Sequence, residues 1–285
     1  MMISIIYVLI SFSLFFTSIG AKKRFMSAAI VNRWIRWILM SLCFAYVFKT
    51  MEWSSKPEWL LFLTAFLGWF VLETAYNWLA IRALNRSDIP LFPNYRKDPE
   101  GVFWPAFFLK EKETIEVLGF KKTDVLFMDM GEGVKLHSVF FENEPKTIRL
   151  QVTFLPQVNK PFAVFYTLFS ATKESLYQTD NTGLPFGGFF PSHWSAFRRP
   201  LYSFKKLYDA HKKRLENTVL LPWTITALEQ MVQQQRLLEC YNIEKGFVQK
   251  RESFSEGEGR ISPEGCYRMW KELWFLNYLG RTLSY

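Results

Sequence analysis

A chain of 285 residues that is 49% hydrophobic and 18% aromatic, with a formal charge of +9, is too apolar for disorder to be its default state. Its three cysteines, Cys43, Cys240 and Cys266, form no CxxC pair, which argues against a structural zinc site and against a disulfide framework. The basic residues gather beside apolar runs and in 198–214, a distribution that suits anionic lipid before nucleic acid, because no reader motif accompanies the charge.

Residues 1–20 carry no charged side chain, and Lys22, Lys23 and Arg24 follow at once. Positive charge behind an apolar run, rather than in front of it, favours an uncleaved spanning helix over a signal peptide, although Ser18-Ile19-Gly20-Ala21 has the form of a cleavage site. The second run, Trp37 to Phe48, covers only ~18 Å of helix. It spans if Arg36 and Lys49 snorkel and Trp34 and Trp53 sit at the interfaces; the alternative is an interfacial or re-entrant helix. The third run, Trp59 to Ile81, is long enough for a hydrocarbon core ~30 Å thick and holds one ionisable residue, Glu73. Ser55, Pro57 and Glu58 before it have the spacing of a capping box.

The expected anchor is therefore 1–85, with spans at about 2–20, 34–53 and 57–82. Lys22, Lys23, Arg24, Arg33 and Arg36 lie between the first two runs, and Arg82, Arg86, Arg96 and Lys97 follow the third. The positive-inside rule then puts the N-terminus outside and the large domain in the cytosol, with the chain integral to the inner membrane. Glu73 is expected to be protonated or bonded to Ser13, Ser41, Tyr46 or Asn77, holding the helices together; the alternative is a proton or ion site.

Pro90, Pro93, Pro99 and Pro105 mark 86–105 as a juxtamembrane linker, whose Phe92, Tyr95, Phe103 and Trp104 suit a headgroup layer. A helix is predicted over 106–118, ended by Gly119. Thr123–Met130, Val134–Phe141, Thr147–Leu155, Phe162–Ala171 and Leu176–Thr179 alternate as strands around GEG, NEP and PQVNKP turns. Short links join antiparallel neighbours, so a meander of four or five strands packed against helices is expected, an α+β domain over 106–285. A long irregular loop over 180–199 follows. Two more helices are predicted, Pro200–Glu216 with Leu201, Phe204, Leu207, Tyr208, His211 and Leu215 inward, and 223–242 with Ile225, Leu228, Val232 and Leu238 inward. Residues 249–260 read as a charged, flexible tip. Ser262-Pro263-Glu264 starts a final helix over 263–279 whose aromatic residues are not confined to one stripe, so it is expected to dock on the anchor or on the bilayer surface, the alternative being a plain core position.

No phosphate loop, dinucleotide fingerprint, nucleophile elbow or HExxH occurs, and no cofactor or metal is implied. His137, His193 and His211 stand apart, and His211 on an apolar helix face reads as a satisfied core residue. The 180–199 loop offers the one candidate ligand site: Asp180 as base or orienter, and Asn181, His193, Arg198 and Arg199 as a grip for an anionic group. Lys205, Lys206, Lys212 and Lys213, with Trp270 and Trp274, are candidates for contact with the membrane surface. The sequence thus points away from an enzyme, to a membrane-anchored binding or scaffolding module meeting lipid headgroups or a protein partner at the inner leaflet. The first alternative is a lipid- or small-ligand-handling domain with an aromatic cavity, and the second a hydrolase-like enzyme built on the 180–199 loop.

Overall fold

The computed structural model describes residues 2–23, 26–84, 89–90, 95–98, 106–129, 135–154, 161–170, 175–249 and 258–283. Phe92, Phe103 and Trp104 of the linker, the GEG turn, the turn at 156–160 and the 250–257 part of the charged tip lie outside them.

Three helices, α1 (Met2–Lys23), α2 (Met26–Thr50) and α3 (Glu58–Leu84), pack in chain order with α2 in the middle. Among the described residues two helices, not three, are long and apolar enough to cross a membrane: Ser27–Thr50 and Glu58–Ala83. The apolar part of α1, Ile3–Ser18, is shorter. The second run is not the short segment the sequence suggested. Helix continues through Arg33 and Arg36, giving α2 a length of about 37 Å. The Ser55 capping box does not form, because α3 begins only at Glu58, with Leu60 and Leu61 donating to the Pro57 carbonyl.

Polar side chains inside the bundle bond to one another. Ser13 Oγ donates to Asn32 Oδ1 at 2.8 Å, Asn32 Nδ2 donates to Thr17 Oγ1 at 3.0 Å, and Ser41 Oγ donates to the Trp37 carbonyl. None of these reaches Glu73. Its polar neighbour is instead the Tyr278 hydroxyl, from the far end of the chain.

The domain is α+β. Among the described residues its main sheet has seven strands rather than four or five: β2 (Tyr95–Lys97), β3 (Phe120–Asp129), β4 (Lys135–Asn143), β5 (Arg149–Phe154), β6 (Phe162–Ser170), β7 (Ser175–Asp180) and β8 (Trp194–Arg198), in that spatial order. The five expected strands are β3 to β7 and pair antiparallel. The two additions are edge strands, β2 from the proline-rich linker and β8 from the supposedly irregular loop. β8 runs parallel to β7, which requires the 181–193 segment to cross over and re-enter from the same end. A small antiparallel ribbon is made by β1 (Ile89–Pro90), β10 (Glu258–Ile261) and β9 (Val248–Gln249), in that order.

Alternation along the strands gives the sheet two unlike faces. On one, Val139, Phe141, Leu150, Val152, Ala163 and Phe165 form a dry core with Phe108 and Ile115 of α4 (Ala106–Val117) and Phe204, Leu207 and Leu215 of α5 (Phe204–Leu215). Each such side chain contributes roughly 1.5–3 kcal/mol by leaving water. Leu201, expected inward, precedes α5 and is exposed. The other face buries Ser138, Glu142, Arg149, Gln151, Tyr166 and Asp180 under α6 (Ala227–Glu244). α6 does not turn Val232 inward, which is exposed. Its buried residues are Ala227, Gln230, Met231 and Asn242, because Ala227 and Met231 pack on Tyr95, Leu126, Met128 and Phe140.

The last helix, α7 (Pro263–Leu279), starts and stops where the sequence says: Ser262 Oγ accepts from the Gly265 N–H and Gly280 closes it with φ 64°. A Cβ at Gly280 would stand 2.8 Å from Ile30 Cδ1 and 2.9 Å from Leu201 Cδ1, so glycine is needed for both conformation and space.

His211 is the satisfied core residue expected, its ring nitrogens 3.0 Å from Thr167 Oγ1 and 2.8 Å from Thr179 Oγ1. Burial, helped by nearby Arg214, pushes its pKa down to about 3. The folded state therefore binds fewer protons than the unfolded chain between that value and ~6.5. Stability is full above pH ~6.5 and falls as pH drops, by up to ~1.4 kcal/mol per pH unit. Thermal unfolding of the detergent-solubilised chain should show this slope, and His211→Gln should flatten it even if its midpoint at neutral pH is lower.

Candidate functional site

The crossover loop, β8 and α6 enclose a hollow of about 250 Å³ on the polar face of the sheet. Tyr166, Phe186, Phe190, Trp194, Met231 and Leu238 give it an aromatic and apolar wall, and Gln178, Asp180, Arg198 and Gln234 give it a polar one. Strand register explains the polar wall: Asp180 and Arg198 are direct partners at the β7–β8 ladder and face the same side.

Arg198 is the centre of a buried ionic cluster. Its Nη1 donates to the Glu272 carboxylate of α7, its Nη2 donates to the Leu184 carbonyl at 2.7 Å, and its Nε lies 3.6 Å from Asp180 Oδ1. The other Glu272 oxygen accepts from the backbone N–H groups of Phe186 at 3.1 Å and Gly187 at 2.6 Å. Gly187 permits that approach with φ 66°, and a Cβ there would meet the Met269 backbone nitrogen at 2.8 Å. One cation thus faces two carboxylates. Burial pushes the Asp180 carboxyl up, against the pull of Arg198 and of the Thr182 N–H, which donates to Oδ1 at 3.0 Å.

Of the five residues predicted for this site, the structure brings two together. Asn181 is a strut: its Oδ1 accepts from the Ala163 N–H and its Nδ2 donates to the Tyr202 carbonyl. Arg199 points outward, stacked on Phe197 at 3.9 Å. His193 lines a different hollow, with Phe169, Ser175 and Ser192. Glu272 was not singled out by the sequence reading, since a lone acid in an aromatic helix carries no spacing signal. The membrane-surface candidates divide likewise. Lys205, Lys206, Lys212 and Lys213 are exposed on α5. Trp270 and Trp274 instead meet α2 and α3: Trp270 Nε1 donates to the Thr74 carbonyl at 3.3 Å, and the Trp274 ring lies 5.3 Å from Phe70 and 6.2 Å from Trp37.

Deeper under α6, Arg149 is almost fully buried. Its Nε donates to Glu142 at 2.8 Å, its Nη1 to Gln230 Oε1 at 2.6 Å and its Nη2 to the Ile225 carbonyl at 2.8 Å. Burial lowers its pKa and the Glu142 carboxylate opposes that fall. Beside it the Tyr166 hydroxyl donates to Gln151 Oε1, and Gln151 Nε2 donates to Ser138 and Thr153. Burial, then the Asp180 carboxylate, pushes the Tyr166 phenol far up, so it stays a donor. No His, Cys, Asp and Glu group with the arrangement to hold a metal occurs among the described residues. No family model matches the chain, and no curated protein or solved structure shows significant similarity to it.

Arg198→Met leaves two buried carboxylates facing each other and should cost about 3–5 kcal/mol. Adding Asp180→Asn should return part of the loss, since one stranded charge is then gone. Thermal midpoints of the single and double variants measure both; an additive double variant would mean the two side chains are not coupled.

Proposed function

We propose that this chain is a non-catalytic, membrane-anchored binding module whose α+β domain is clamped onto its own helical anchor at the inner leaflet of the cell membrane. The observation that carries the reading is the docking of α7. Trp34 Nε1 donates to the Tyr278 carbonyl at 3.0 Å and Arg33 Nη1 donates to the Asn277 carbonyl at 3.2 Å. Trp37, Trp274 and Tyr278 stack or meet edge-on at centroid distances of 4.3–6.2 Å. A domain that merely trailed from a membrane span would not need this joint.

The joint lies at the N-terminal end of α2, the end that carries Arg33 and Arg36. Basic residues favour the cytosolic side, which supports a cytosolic domain. The two crossings, Ser27–Thr50 and Glu58–Ala83, then return the chain to the side on which α2 begins, so the domain that follows α3 lies on that side. At this height α7 lies where aromatic side chains suit the headgroup layer, and the lysines of α5 are free to meet anionic lipid or an acidic protein surface. The aromatic hollow beside Arg198 favours a second, compatible reading, a domain that handles a lipid or other small ligand. The hydrolase-like alternative needed His193 and Asp180 within reach of each other, and they line different hollows.

Two measurements test the proposal. A reporter active only outside the cytosol, fused after Tyr285, should stay dark; activity would invert the topology. With the native cysteines replaced, Thr74→Cys and Trp270→Cys should be bridged in membranes by a short bis-maleimide. Full labelling of both cysteines without bridging would remove the clamp.

A further inference from the structure

A second hollow, of about 450 Å³, adjoins the one beside Arg198 and shares Trp194 and Gln234 with it. Leu168 and Leu176 of the sheet, Leu221 and Ile225 of the segment before α6, and Leu237 of α6 make it apolar. Together the two hollows fall within the roughly 300–1,000 Å³ typical of small-molecule sites. α6 packs on the β2–β4 side through Ala227 and Met231, and it offers Gln234 to both hollows, with Leu238 beside the first and Leu237 beside the second.

Two residues that line the second hollow carry donors without acceptors among the described residues. Gln230 and Trp223 both line it and are both more than nine-tenths buried. Arg149 donates to Gln230 Oε1, and a guanidinium has only donors, so the orientation of that amide is fixed and its Nε2 hydrogens point elsewhere. Nε2 finds no acceptor among the described residues, and neither does Trp223 Nε1. The Trp223 ring is held by the Arg149 guanidinium 4.7 Å from its centre, so this donor is fixed too. Buried donors left unpaired are rare in folded proteins, and each carries a free-energy cost that an incoming oxygen would remove.

We propose that the two hollows form one binding site for a single-chain amphiphile, an apolar chain ending in a carboxylate or ester carbonyl. The oxygen accepts from Trp223 Nε1 and Gln230 Nε2. The chain runs over Leu176 and past Trp194 toward Phe186 and Phe190. Glu142 already neutralises Arg149, so the end group carries at most a single charge. The same chemistry is offered by a free fatty acid and by the acyl ester of a membrane lipid. This inference deepens the reading of the domain as a binding module, but it does not depend on which side of the membrane the domain occupies.

The full chain in phosphatidylcholine nanodiscs is labelled with palmitate carrying a chain diazirine and, separately, with phosphatidylglycerol carrying it on one acyl chain. Topology plays no part in either arm, so failure here is distinct from failure of the anchoring proposal. Labelling of peptides holding Leu176, Trp194 or Leu237 supports the site; the palmitate arm alone identifies a free acid, and the phosphatidylglycerol arm alone an ester. Trp223→Phe and Gln230→Glu, the latter keeping the acceptor for Arg149, should each weaken competition by unlabelled ligand about tenfold. Leu237→Trp should fill the hollow and abolish labelling there without lowering the thermal midpoint. Label confined to α1, α2, α3 and α7 in both arms would overturn the proposal, as would labelling of the hollow that all three variants leave unchanged.

Discussion

The carboxylate of Glu272 is the joint on which the half of the domain around the hollows depends. It sits almost wholly out of water, where an unpaired charge would be prohibitively expensive. It is tolerated because three donors converge on it: the Arg198 guanidinium and the N–H groups of Phe186 and Gly187. Those bonds fix the crossover loop, and the crossover is what lets β8 lie parallel to β7. Without it Trp194 and Arg198 would have no reason to share a face with Asp180, and the hollow would lose a wall.

Glu272 also gives α7 two unlike sides. Two residues along a helix are about 200° apart, so Glu272 and its neighbours Trp270 and Trp274 point in opposed directions. One side of α7 holds the domain through Glu272 and Arg268, whose Nε donates to the Gly187 carbonyl. The other side meets Phe70, Thr74 and Trp78 of α3 and Trp37 of α2. The final helix is therefore a bolt between two bodies rather than the lining of one core. Gly280 at its end, pressed between Ile30 and Leu201, is the point where α2, α7 and the segment before α5 meet.

Much of this was legible in the sequence wherever the cause was local. Alternation located β3 to β7, and Ser262, Pro263 and Gly280 bounded α7. The errors arose where a distant partner decided the outcome. β8 is a five-residue segment, WSAFR, with no alternation of its own, and it becomes a strand only because β7 offers an edge. β2 was hidden by the prolines around it for the same reason. In α6, a search for large apolar residues selected Val232, while the sheet selected Ala227 and Met231, since the small side chain of Ala227 allows close approach. Of the site, Asp180 and Arg198 were found because loop chemistry flagged them. Glu272, Arg149 and Gln230 were not, because a charged or amide residue in a strand or helix reads as solvent-facing until its burial is known.

The contrast between the sheet's two faces is the strongest reason to look for function on one of them. The face under α4 and α5 is packed with Phe, Leu, Val and Ile and has one buried imidazole with both nitrogens bonded, as a face built for stability would be. The face under α6 buries Arg149, Glu142, Gln151, Tyr166, Asp180 and Arg198. Replacing such groups by apolar ones of like volume is often neutral or stabilising, so stability alone gives no reason to keep them. They are arranged, moreover, around hollows and not around a sealed core, with hydrogen-bonding capacity left over at Trp223 and Gln230. That face therefore holds more polarity than folding needs, and residues that carry it line the two hollows.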